Sequence, residues 1–334
     1  MKYLAALLCL GIIFSVRAQS PLPESFLDGK SVVLISNAPQ ARPSMTWKEI
    51  AETIHPSLVK AGGDPVAYYE LESITLSEDV QQGYAAAFLK RQIKSIIILT
   101  RKANGQIFLH IAPFTQNRNL VPAGGAWVNS STQLDGLAEA IVASGKGLRT
   151  KNLLALEVPE FLPQEGATAT GAAPAGTRRF FARNPLNLDV FKLGIPLSSA
   201  VGEGAVLSSY RYDQLGRTPE EISAAQAEEK AGMEAVFKAA YNYQVEFLNT
   251  PKADADLLKD RIQFLLVKVE GKEGELMKSM GLPIDNPNER PEIVVKYYIR
   301  LIVRDELYIG PTWDAHPDWR VALKQFLENL SIKQ

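Results

Sequence analysis

Two short apolar runs constrain this chain more than anything else in it. Ser31-Val32-Val33-Leu34-Ile35-Ser36 and Ser95-Ile96-Ile97-Ile98-Leu99-Thr100 are β-branched and bounded by polar loops, and neither alternates with polar residues. A strand apolar on both sides needs cover on both sides. The intervening residues repeat apolar positions at helical spacing, as in Trp47, Ile50, Ala51, Ile54 and Leu58. Strands alternating with helical segments predict an α/β layer over residues 19–159.

Taken in order, strands are expected at 31–36, 65–71, 95–100, 106–113 and 152–159. The first helix starts at Ser44 or Thr46, is interrupted at His55-Pro56, and stops at Gly62-Gly63. A second begins at Ser77, whose hydroxyl and following acids suit a helix N-terminus. Asn104-Gly105 marks a tight hairpin turn. A third helix, capped by Ser130 or Ser131, runs to about Ser144. The order is β-α-β-α-β-β-α-β in a mixed sheet. That order, across about 130 of the 334 residues, resembles the small α/β accessory domains of bacterial envelope proteins of the curli-secretion and Tol type. The resemblance implies an envelope location and assigns no residue a role.

Residues 1–18 have the form of a secretory signal: Lys2, an apolar stretch at 4–14, then Val16-Arg17-Ala18. The apolar stretch is shorter than the roughly 20 residues needed to span a bilayer. No transmembrane segment is therefore expected in the mature chain, which is placed in the periplasm or at the cell surface. The Ala18-Gln19 junction is similar to those of exported Bacteroidota proteins. Cys9 is the only cysteine, so the mature chain has no disulfide, thiol nucleophile or cysteine metal ligand.

Residues 164–177, rich in Ala, Gly, Thr and Pro, cannot bury enough surface to order themselves and read as part of a linker at 160–177. An α+β domain is expected at 178–334, with 178–216 unassigned. Thr218-Pro219-Glu220-Glu221 is a capping box with proline at the first helical position. The long helix that follows could reach Asn249. Residues 261–271 read as a strand and 277–283 as a turn region. Residues 293–303 alternate, with Tyr297, Ile299, Leu301 and Val303 on one face and Lys296, Tyr298 and Arg300 on the other. That pattern predicts an antiparallel sheet with one wet face.

Charge is balanced along the chain, with 13 Lys+Arg against 12 Asp+Glu in residues 20–158 and 21 against 23 in 178–334. No basic excess points to nucleic acid. Two clusters carry candidate chemistry. Trp313-Asp314-Ala315-His316-Pro317-Asp318-Trp319 could hold an acid/base pair of His316 with Asp314 or Asp318, with Trp313 and Trp319 as aromatic walls. The same residues suit a helix N-terminus, and that reading is preferred. The second cluster is the carboxyl edge of the sheet, where open α/β sheets bind ligands. Ser36, Asn37, Gln40, Arg42, Thr100 and Arg101 fall there, and Arg42 with Arg101 could hold a small anion. Ser144-Gly145-Lys146-Gly147 lacks the spacing of a phosphate loop and reads as a helix C-cap. Asp254, Asp256 and Asp260 lack the glycine and the final acid of a calcium loop. No metal site or cofactor is expected.

The function expected is a non-enzymatic, exported binding or assembly component of the cell envelope. Its partner would be another envelope protein or a small anionic ligand. The alternative is a periplasmic hydrolase using Asp314, His316 and Asp318.

Overall fold

A computed structural model describes residues 21–76, 78–161, 180–184, 186–197, 205–250, 252–286, 289–304 and 306–330. The expected leader at 1–18, the Ser77 cap and the linker from 162 onward lie outside those residues.

The described chain is mixed α/β with two mixed sheets. In the first sheet β1 (Lys30–Asn37) lies between β2 (Asp64–Glu70) and β3 (Ile93–Arg101), parallel to both. β4 (Ile107–Pro113) and β5 (Trp127–Ser131) add antiparallel strands beside β3. The helices of this half are α1 (Glu24–Leu27), α2 (Trp47–Lys60), α3 (Leu71–Ile74), α4 (Glu78–Lys90) and α5 (Leu134–Gly145). Thr46 caps α2 through a box with Glu49, and the helix continues through Pro56.

Residues 152–159 are not a strand, and the order here is β-α-β-α-β-β-β-α. The edge place belongs to β5, whose burial alternates: Trp127 is buried, Asn129 and Ser131 are half-buried on the same side, and Val128 and Ser130 are exposed on the other. A polar, half-wet edge strand has the composition of a loop or a helix cap, so apolar patterning does not mark it. Ser130 and Ser131 therefore end β5, and the N-cap of α5 is Gln133 without a side-chain cap. α5 does end at the expected glycine, with Gly147 at φ 82° just beyond it.

The second sheet has the order β6-β11-β10-β9-β7-β8. Its strands are β6 (Phe180–Phe181), β7 (Lys192–Pro196), β8 (Val245–Leu248), β9 (Ile262–Lys272), β10 (Ile293–Leu301) and β11 (Glu306–Tyr308). β9, β10 and β11 pair antiparallel, but β7 is parallel to β8 and β9, and β6 is parallel to β11. The sheet is mixed rather than antiparallel. The helices are α6 (Ala205–Ser208), α7 (Pro219–Ala240), α8 (Asp254–Lys259), α9 (Glu273–Ser279) and α10 (Trp319–Leu330). α7 carries the expected Thr218–Glu221 box but stops at Ala240. Val245–Leu248, which fall within the helix expected to reach Asn249, form β8 instead. α9 covers part of the expected turn region.

Both faces of β10 are covered. Tyr297, Ile299 and Leu301 join a cluster with Met233 and Phe237 of α7 and Phe326 and Leu327 of α10. On the other face, Val294 and Tyr298 join Val269 and Leu307 in a cluster that also contains Val32, Leu34, Ile96 and Ile98 of the first sheet. One apolar core is thus common to both sheets. The remaining face of the first sheet, with Val33, Ile35, Ile97 and Leu99, packs under α2 and α5.

Candidate functional site

The three parallel strands end together. Ile35 pairs with Glu70 and with Leu99, and Ser36 pairs with Thr100. Their last residues and the first turn of α3 therefore form one edge, with Ser36, Glu70, Glu72, Thr100 and Arg101 on it. Residues 205–217 cross this edge. Ser36 Oγ donates to Glu72 Oε1 at 2.5 Å and accepts the Tyr212 N–H at 2.8 Å. Thr100 Oγ1 donates to the Tyr210 carbonyl at 2.6 Å, and Lys102 Nζ to the Leu215 carbonyl at 2.8 Å. Leu207 belongs to the shared core. Ser36 and Thr100 are fully buried beneath this segment.

The cluster is charged as well as buried. Burial pushes the Glu72 carboxyl up to about 7, opposed by the Ser36 hydrogen bond and the Arg211 charge and reinforced by Glu70. Burial also acts against the charge of Arg211, which Asp213, Glu72 and Glu270 offset. Arg211 Nε is 3.2 Å from Asp213 Oδ1. Lys272 at the end of β9 reaches Glu70 Oε2 at 2.7 Å. Beside the cluster, the His110 ring meets Tyr210 edge-on at 4.9 Å, and its Nδ1 is buried without a hydrogen-bond partner. Burial lowers His110 to about 4. Chemically, the arrangement exchanges one proton at Glu72 near neutral pH and holds the crossing segment on the strand ends.

Asn37 and Arg101 are brought together for a different task. Arg101 Nη2 donates to the Pro43 carbonyl at 2.6 Å and Nη1 to Asn37 Oδ1 at 3.3 Å, while Asn37 Nδ2 donates to the Met45 carbonyl at 2.6 Å. They brace the loop after β1. Gln40 and Arg42 are exposed on that loop. Glu72, Arg211 and Tyr212 were not among the residues expected here. Glu70-Leu71-Glu72, two acids directly after a parallel strand, was the available signal for the first. Nothing local marks 210–212.

In the second cluster, Asp314 Oδ1 is 2.5 Å from Lys296 Nζ, and both side chains are almost wholly buried. Lys296 also donates to the Ile309 carbonyl at 2.7 Å and sits 4.8 Å from the centre of the Phe326 ring. Asn329 donates to the other Asp314 oxygen at 3.1 Å. Burial drives the Lys296 pKa down and that of Asp314 up, and the attraction between the two opposes both shifts. His316 Nδ1 accepts the Asp318 N–H at 2.9 Å, and Asp318 Oδ1 accepts the Arg320 N–H at 2.9 Å, capping α10. Trp313 donates to Glu273 at 2.8 Å and packs on the shared core. Trp319 packs on the α7/α10 cluster, so the two indoles join different cores.

Among the described residues, no group of three or more His, Cys, Asp or Glu side chains could hold a metal ion. No helix among them is long and apolar enough to cross a membrane. The chain matches no protein-family model, no curated protein and no solved structure.

Proposed function

We propose that this chain is an exported, non-enzymatic binding or assembly component of the cell envelope, its two halves working as one body. One observation carries the reading: the edge where an α/β sheet would receive a substrate is covered by the chain's own residues 205–217. Ser36 and Thr100 are both bound to that segment. Of the two acids of the rival hydrolase reading, Asp314 is likewise bound to Lys296 and Asn329, and Asp318 accepts the Arg320 N–H at the start of α10. Export rests on the leader-like residues 1–18. Gln40 and Arg42 remain the accessible polar groups near the strand ends and would meet a small anion or an acidic partner.

The test compares the wild type with His316→Ala and Glu72→Gln on ester, phosphoester, glycoside and peptide substrates. A binding protein shows no turnover that either substitution abolishes. Turnover lost in His316→Ala would replace this reading by the hydrolase one.

A further inference from the structure

The Lys296–Asp314 pair lies in a setting that works against its own charges. Lys296 Nζ donates to Asp314 Oδ1 at 2.5 Å, and the side chains are 1% and 4% exposed. The centres of the Phe326 and Trp313 rings lie 4.8 and 5.9 Å from Nζ. Taking two ions out of water into such a place is costly, and their attraction only partly offsets the cost. Moving one proton from Nζ to Oδ1 removes both charges. Burial favours that neutral state, since it lowers the Lys296 pKa and raises that of Asp314. A neutral, desolvated amine is a nucleophile, and a protonated carboxyl has an oxygen that departs as water.

The surroundings supply what an acyl transfer needs. Nζ touches Oδ1, so the carboxyl carbon is one bond beyond the atom it touches. Val295 and His316, close to the pair in sequence, exchange both backbone hydrogen bonds at 2.9 and 3.0 Å. Reacting groups held together by their backbones behave as if very concentrated. Asn329 Nδ2 donates to Asp314 Oδ2 at 3.1 Å, and negative charge develops on that oxygen when Nζ attacks Cγ. The Ile309 carbonyl accepts from Nζ at 2.7 Å.

Both of these partners stay in use after condensation. The amide oxygen keeps the Asn329 bond, and the amide N–H keeps the Ile309 bond. Two buried ions thereby give way to one neutral group whose donor and acceptor are satisfied. Asn329 is half-buried and also bonds the exposed Thr312, so the outer side of the site adjoins the solvent that takes up the released water.

From this geometry we infer that Lys296 and Asp314 condense into an intramolecular amide that staples β10 to the segment before α10, with Asn329 holding the developing oxyanion. The Nζ–Cγ bond forms, the Cγ–Oδ1 bond breaks, and the two protons lost by the ammonium leave on Oδ1 as water. Nothing is oxidised or reduced, and no co-reactant is required. The ion pair described above is the state before this bond. Cys9 is the only cysteine, so no disulfide within the chain can staple the same elements. The inference goes beyond the binding role proposed above and uses other residues, so either can fail without the other.

The test is mass spectrometry of the folded full chain, denatured only for the measurement. Wild type is expected to be lighter by one water than its sequence between the termini found, and its digest to contain a branched peptide joining Lys296 to Asp314. Lys296→Arg and Asp314→Ala should each restore the full mass. Asn329→Ala should form the bond on the order of a hundredfold more slowly, so that freshly purified protein is mainly unlinked. The wild-type digest decides the matter even where a variant fails to fold. A folded wild type of full sequence mass would overturn the inference. So would a loss of water that Lys296→Arg retains or that maps to other residues, and linking as fast in Asn329→Ala as in wild type would overturn the part given to Asn329.

Discussion

Ser36 Oγ donates to Glu72 and accepts from the Tyr212 amide, so one hydroxyl joins the end of β1, the turn after β2 and the segment crossing the sheet edge. Its single proton and its lone pairs are both in use. Ser36→Ala would leave a buried N–H and a buried carboxyl without their partner. The expected cost is about 2–3 kcal/mol, read as a shift of the urea midpoint at constant slope.

Two buried groups near that segment give opposite pH dependence. Glu72 is raised to about 7 in the folded chain. Its stabilising effect is complete below the unfolded carboxyl value near 4.5 and is lost as pH rises through 7. His110 is lowered to about 4. Its effect is complete above the unfolded value near 6.5 and is lost as pH falls through 4. In wild type the two largely cancel between pH 4.5 and 6.5. Against wild type, Glu72→Gln should gain on the order of 3 kcal/mol as pH rises from 4.5 to 7, and His110→Phe should gain a similar amount as pH falls from 6.5 to 4. Parallel denaturation curves at several pH values read out both differences. Parallel stability–pH profiles for all three proteins would refute the assignment.

Lys296 and Asp314 form a pair that is costly to break singly. Asp314→Ala leaves a buried ammonium and should cost about 3–5 kcal/mol, whereas Lys296→Met/Asp314→Leu should recover much of that loss. Chemical denaturation of the three proteins decides it. A double variant no more stable than the single one would mean that the pair itself, rather than an unpaired charge, holds the segment before α10.

His316 should behave differently from its neighbour. It contributes one acceptor to the Asp318 amide at a half-exposed site. His316→Ala should therefore cost less than about 1 kcal/mol. A thermal melt measures this, and a loss as large as that of Asp314→Ala would show the histidine to be part of the buried network.

What the sequence made legible depended on whether burial followed the apolar pattern. β1 and β3 were readable because both their faces are apolar, and α7 because Thr218 and Glu221 cap it reciprocally. β5 was missed because Asn129, Ser130 and Ser131 look like a loop. β10 was read with one wet face because Lys296 and Arg300 alternate with apolar residues. The structure buries Lys296 completely and bonds Arg300 to Asp254 at 2.7 Å. At the site, the ends of β1 and β3 were read correctly as one edge, but the partner that covers them lies more than 100 residues away along the chain. No local pattern encodes that contact.

Native-state hydrogen exchange at the Tyr212 amide tests most directly whether the strand ends are closed by residues 205–217. Protection comparable to that of β1 and β3 amides in wild type, and strongly reduced in Ser36→Ala, is the result expected. Fast exchange at Tyr212 while β1 and β3 remain protected would show an open edge, and the account built on its closure would be wrong.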